Sequence, residues 1–144
     1  MSRLDKEGEN GVVTAIIAAA GSGKRMGEGL NKVFIKLGAD PILVHSFCAF
    51  AACPEIDDII VVAAPGEEEV VRGLLAAAKC PKSWQVVCGG AERQYSIANA
   101  IAALPDKTDF VAIHDGARPL VEPTVISAAI AAARESGAAG VAVP

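Results

Sequence analysis

Val12-Val13-Thr14-Ala15-Ile16-Ile17-Ala18 runs directly into Ala19-Ala20-Gly21-Ser22-Gly23-Lys24-Arg25-Met26-Gly27. The first stretch is apolar almost throughout and rich in β-branched residues, the pattern of a strand buried on both faces. The second is glycine-rich and cationic, and it begins where such a strand delivers the chain to one edge of a sheet. Glycines there let backbone N–H groups approach an anion closely, with no Cβ in the way.

Outward from this point the strand pattern recurs. Ile59 to Ala63, Trp84 to Cys88, Phe110 to His114 and Ala139 to Val143 each read as a strand. Val33 to Leu37 reads as a short alternating one, closed by a Gly38-Ala39-Asp40-Pro41 turn. Helices are expected from Pro41 to about Ala52, after Pro65-Gly66 with Glu67, Glu68 and Glu69 in the first turn, from about Glu92 to Leu104, and from Pro123 to Ser136 with Gly137 as the stop. Strands apolar on both faces need helices on both faces. The expected fold is therefore α/β and Rossmann-like: a mostly parallel sheet with helices on both faces. Residues 1–11 read as a flexible leader and 12–144 as one nucleotide-binding α/β domain. The chain stops inside the expected fifth strand, which predicts a C-terminal truncation of a longer catalytic domain.

Composition narrows the function. The chain has 144 residues, 52% hydrophobic and 21% charged, with a net charge of −4. Mild acidity and the lack of a basic stripe argue against nucleic acid as a partner. No stretch approaches the roughly 18–20 apolar residues of a membrane span, and the polar N-terminus is unlike a signal peptide, so a cytoplasmic protein is expected. Cys48, Cys53, Cys80 and Cys88 form no CxxC pair, and with His45 and His114 they have no zinc-like spacing. They read as buried reduced thiols.

In open parallel sheets, ligands bind beyond the carboxyl ends of the strands. Three loops there carry unusual residues. Loop 19–32 fits neither a P-loop, because Ala18 and Arg25 stand where Gly and Ser or Thr are needed, nor a GxGxxG fingerprint, because Met26 holds the third position. It still brings Lys24, Arg25 and Lys32 to one place. The second loop, Gly89-Gly90-Ala91-Glu92-Arg93-Gln94-Tyr95-Ser96, sets Arg93 and Ser96 on one face near a helix start, where an anion meets free N–H groups. The third reads His114-Asp115-Gly116-Ala117-Arg118-Pro119. An Asp placed there can share Mg²⁺ with a phosphate, and Arg118 can clamp a second phosphate. Plainer readings exist for each: a glycine-rich turn, a solvated arginine, an internal Asp115–Arg118 ion pair. His45 and His114 read as locally hydrogen-bonded residues. Together the three loops describe a site for a nucleoside polyphosphate and a divalent metal.

These residues resemble a known family. Ala19-Ala20-Gly21-x-Gly23-x-Arg25-Met26 with Asn31-Lys32-Val33-Phe34 is similar to the signature loop of nucleotidyltransferases that activate sugar and polyol phosphates. Pro41-Ile42-Leu43-x-His45-Ser46, Gly89-Gly90-x-x-Arg93-Gln94-x-Ser96 and His114-Asp115-x-Ala117-Arg118-Pro119 narrow the resemblance to the 2-C-methyl-D-erythritol 4-phosphate cytidylyltransferases of isoprenoid biosynthesis.

The resemblance implies transfer of CMP from CTP to methylerythritol phosphate, with Mg²⁺ and release of pyrophosphate. It implies Arg25 and Lys32 as the catalytic cations. Nucleotide binding would fall to Ala18, Ala19, Ala20, Gly21, Ser22, Gly23, Gly90, Arg93, Ser96 and Ala117. Asp115 would hold metal and substrate, and Arg118 would face the acceptor. It also implies a homodimer in the full-length protein. Two departures stand out: Asn31-Lys32-Val33 where the family commonly has Pro-Lys-Gln, and Gly116 where Ala is usual, a change expected to loosen the loop. Alternative readings are a ribitol-5-phosphate cytidylyltransferase and a CTP-binding fragment without turnover.

Overall fold

The computed structural model describes residues 11–21 and 31–142. Four parallel strands form the main sheet: β1 (Val12–Ala19), β4 (Asp58–Ala63), β5 (Ser83–Cys88) and β6 (Thr108–Asp115), in the order β5-β4-β1-β6. A two-stranded hairpin of β2 (Lys36–Leu37) and β3 (Asp40–Pro41) stands apart. The helices are α1 (Ile42–Ala51), α2 (Glu68–Ala77), α3 (Arg93–Ala102) and α4 (Pro123–Ser136).

The alternation of β1 divides the core in two. Val13, Ala15, Ile17 and Ala19 face Leu43, Phe47 and Phe50 of α1, Val71 and Leu75 of α2, and Ile126 and Ile130 of α4. Ile16 faces the other way and packs with Ile60, Val62 and Ala100 of α3. Helices thus cover both faces of β1 and β4, as their apolar residues require. The α3 side of β6 is open, with Val111 40% and Ile113 52% exposed, so β6 is not the strand buried on both faces that its sequence predicted. Two carboxylates pin the start of β1. Asp109 accepts the N–H of Val12 at 2.7 Å, and Asp57 accepts that of Val13 at 2.9 Å.

Most expected elements form within a residue or two of their anticipated ends, and α4 runs from Pro123 to Ser136 with Gly137 left-handed at φ 89°. Three expectations are corrected. Lys32–Phe34 is a 3-10 turn, and only Lys36–Leu37 of the expected strand is extended. The side chain of Asn31 caps that turn by accepting the N–H of Val33, so the apolar Val33 is buried by a turn and not by strand alternation. Residues 139–142 form no strand and are exposed. Among the described residues they have no ladder partner, and an apolar run without one gains nothing from extension. Finally, all four cysteines are free as expected, but only Cys53 is buried; Cys48 and Cys88 are exposed and Cys80 is half-buried. Cys48 lies on the outer side of α1, and Cys88 ends an edge strand.

No helix among the described residues is long and apolar enough to cross a membrane.

Candidate active site

The strands β1, β5 and β6 deliver their loops to a cavity of about 570 Å³ at their carboxyl ends. This is within the range of small-ligand sites, about 300–1,000 Å³. Of the residues singled out in the sequence, it is lined by Ala18, Ala20, Gly21, Lys32, Gly90, Arg93, Ser96, Asp115 and Ala117. Arg25, Ser22 and Gly23 lie outside the described residues. Ala19 does not line the cavity. Its side chain turns into the core at 1% exposure, and its carbonyl accepts from Asn31 at 2.7 Å. Arg118 does not line it either. It stands exposed at the rim, its Nε 3.9 Å from Asp115 Oδ2. Four further residues that were not site candidates also line the cavity: Asn31, Val33, Ala91 and Glu92. Only Asn31 carries a usable signal, a cap-forming residue two positions before an apolar one.

Close backbone contacts shape each loop. Gly89 donates its N–H to the Ala63 carbonyl at 2.7 Å. An ideal Cβ on Gly89 would come 2.6 Å from Ala20 Cβ, and one on Gly90 would come 2.4 Å from Tyr95 Cβ. Both positions therefore need glycine for space. Gly116, expected to loosen its loop, is held instead. Its N–H donates to the Ala18 carbonyl at 2.8 Å, and its carbonyl accepts from Ser46 Oγ at 2.8 Å. Asp115 Oδ1 accepts the N–H of Ala117 at 3.0 Å, which orients the carboxylate within the turn. His114 Nε2 is 3.0 Å from the Arg118 carbonyl, and His45 Nε2 is 2.7 Å from that of Leu37. Both histidines thus bind backbone, as expected.

Behind the second loop, the Cys88 thiol donates to the Gly89 carbonyl at 3.4 Å. Hydrogen bonding toward the Glu68 carboxylate, then burial and the carboxylate charge, push the thiol above its ordinary value. Glu68 is correspondingly lowered, chiefly by its own backbone N–H and then by Cys88.

The cavity combines two cationic side chains, Lys32 and Arg93, with two carboxylates, Glu92 and Asp115, and glycine-lined backbone. Cations meet phosphate oxygens directly. A single carboxylate suits Mg²⁺ that is held mainly by a substrate's phosphates.

The family model described as IspD: 2-C-methyl-D-erythritol 4-phosphate cytidylyltransferase matches residues 13–144. The chain belongs to this cytidylyltransferase family. A curated member from Alkaliphilus metalliredigens is 44% identical over 133 residues, covering 92% of this chain and 55% of its own length. Another, from Desulforamulus reducens, is 44% identical over 135 residues, covering 93% and 58%. The crystal structure of 4-diphosphocytidyl-2C-methyl-D-erythritol synthase from Anaerococcus prevotii superposes with a TM-score of 0.77 at 28% identity, over 88% of this chain and 52% of that one. The chain thus spans a little over half the length of these cytidylyltransferase relatives.

Proposed function

We propose that this chain carries the CTP-binding part of a cytidylyltransferase that transfers CMP from CTP to 2-C-methyl-D-erythritol 4-phosphate. The observation that carries the reading is the meeting of Gly21, Lys32, Gly90, Arg93, Ser96 and Asp115 on one cavity in a chain of this family. An oxygen of the acceptor's phosphate attacks the α-phosphorus of CTP. The new P–O bond forms as the bond to the β-phosphate oxygen breaks, and pyrophosphate leaves. The nucleophile is already anionic, so no general base is required. The protein's share is positioning and charge stabilisation.

Lys32 meets the crowded phosphates from the turn after the glycine-rich loop, and Arg25 is proposed to do so from within that loop. Gly90 and Ser96 form the wall against which the base and ribose are proposed to lie. Arg118 at the rim is the residue proposed for the acceptor's side. Asp115 fits as the protein ligand of Mg²⁺, because one oxygen is engaged with Ala117 while the carboxylate still lines the cavity. When bound there, the ion would neutralise charge on the phosphates. The same family reading carries a homodimer for the full-length protein and a cytosolic setting.

Incubation with CTP, Mg²⁺ and either methylerythritol phosphate or ribitol 5-phosphate, with pyrophosphate as the readout, tests the proposal. Release with methylerythritol phosphate alone is the expected result. Release with ribitol 5-phosphate reassigns the acceptor. CTP binding without release with either acceptor assigns the chain a binding role alone.

A further inference from the structure

Asn31 is 5% exposed, and its side-chain amide is engaged at both ends. Nδ2 donates to the Ala19 carbonyl at 2.7 Å and to Glu67 Oε2 at 3.0 Å. Oδ1 accepts the N–H of Val33 at 3.3 Å. Two acceptors face one end of the amide and a donor faces the other, so its orientation is determined by its surroundings.

The three partners lie in different parts of the fold. Ala19 is the last residue of β1, twelve positions before Asn31. Glu67 is the residue from which α2 begins. Val33 is in the 3-10 turn. One buried side chain therefore ties the return of the glycine-rich segment to the strand it left and to the entry of the next helix. Lys32 is the adjacent residue. Its backbone is held in the same turn, where its carbonyl accepts the N–H of Ile35 at 3.1 Å, while its side chain is exposed and lines the cavity.

We propose that Asn31 is the positioning residue of Lys32: by clasping Ala19, Glu67 and Val33 it fixes the direction from which the Lys32 cation meets the phosphates of CTP. This rests on the reading of the cavity as a CTP site. A lysine side chain loses rotamer freedom when it closes on a phosphate. With its backbone already fixed, that is the only ordering cost left at binding, so the contact keeps more of its worth. The Glu67 carboxylate makes the clasp specific for an amide. An Asp at position 31 would set one carboxylate against another and against the Ala19 carbonyl.

The test is a double-mutant cycle on CTP affinity, measured by calorimetry in the presence of Mg²⁺ with the unsubstituted chain, Asn31→Ala, Lys32→Ala and the combination. Lys32→Ala should weaken binding by about tenfold, the scale of a hydrogen bond to a charged group. Asn31→Ala should weaken it severalfold. The combination should bind as Lys32→Ala does, because Asn31 acts through Lys32 alone. Losses that multiply would make Asn31 an ordinary structural residue and overturn the proposal, as would full affinity in Lys32→Ala. If Asn31→Ala does not fold, Asn31→Ser carries the same cycle, since it keeps a cap for Val33 without reaching both Ala19 and Glu67. A second arm compares Asn31→Asp with Asn31→Asp/Glu67→Gln. The swapped amide should restore part of the affinity, and a pair no better than Asn31→Asp counts against the clasp. Absence of CTP binding by the unsubstituted chain would remove the CTP reading itself, an outcome distinct from the others.

Discussion

Ser96 Oγ accepts the N–H of Gly90 at 3.1 Å, so the first turn of α3 holds the loop that leaves β5. Ser96 is 4% exposed, and the bond is partly buried at the cavity wall. Ser96→Ala leaves that N–H without its partner. It should cost about 1 kcal/mol of unfolding free energy in a denaturant titration and weaken CTP binding as well. Unchanged stability and unchanged affinity together would show that the bond shapes nothing.

Gly89 and Gly73 predict opposite signs for the same substitution. A Cβ on Gly89 meets Ala20 Cβ at 2.6 Å and the Ala63 carbonyl at 3.1 Å, whereas one on Gly73, exposed within α2, meets nothing within 4 Å. Gly89→Ala should destabilise by about 1–3 kcal/mol through overpacking. Gly73→Ala should stabilise by about 0.5–1 kcal/mol by removing backbone freedom from the unfolded chain. Chemical denaturation of both variants reads the difference directly.

Asp115→Asn separates charge from hydrogen bonding. The amide oxygen can still accept the N–H of Ala117, so unfolding free energy should stay within about 0.5 kcal/mol. The Mg²⁺ concentration needed for CTP binding should rise by at least about tenfold, a scale reached even by loss of a metal site's outer partners. An unaltered Mg²⁺ requirement would take the metal role away from Asp115.

The two exposed thiols are less acidic than a free cysteine. Cys48 is raised by burial, then by the charge of Asp40, then by Cys80; Cys88 is raised first by its bond to Glu68. A raised value means less thiolate at a given pH. Alkylation by iodoacetamide near neutral pH should therefore be slower at both than at an unhindered cysteine, and should quicken as the solution becomes more alkaline. Glu68→Gln should speed the reaction at Cys88 and leave Cys48 unchanged, as peptide mass mapping would record.

The sheet was legible because β1 and β4 are buried on both faces, and Ile-Val runs of that kind have few alternative conformations. The convergence of loops 19–32, 89–96 and 114–119 followed from parallel strands sharing one carboxyl edge. Asn31 was legible as a turn cap but not as a clasp. That role comes from Glu67, thirty-six positions away, and side-chain pairings at that distance leave no trace in local pattern. Val33 misled for a related reason: a capped turn and a strand can bury the same apolar residue. The stretch from Ala139 has the composition of a strand, yet its described residues, 139–142, find no neighbour to pair with, and composition does not supply one.

The strand order carries one more consequence. The loops that line the cavity leave β5, β1 and β6, while β4 lies between β5 and β1 and contributes Glu67 behind Asn31. Strand spacing is fixed by backbone hydrogen bonding at about 4.8 Å, so the outer loops start about 14 Å apart. The sheet works as a ruler. Loop residues can change which groups meet a bound molecule, but the span it must bridge changes only in whole strands.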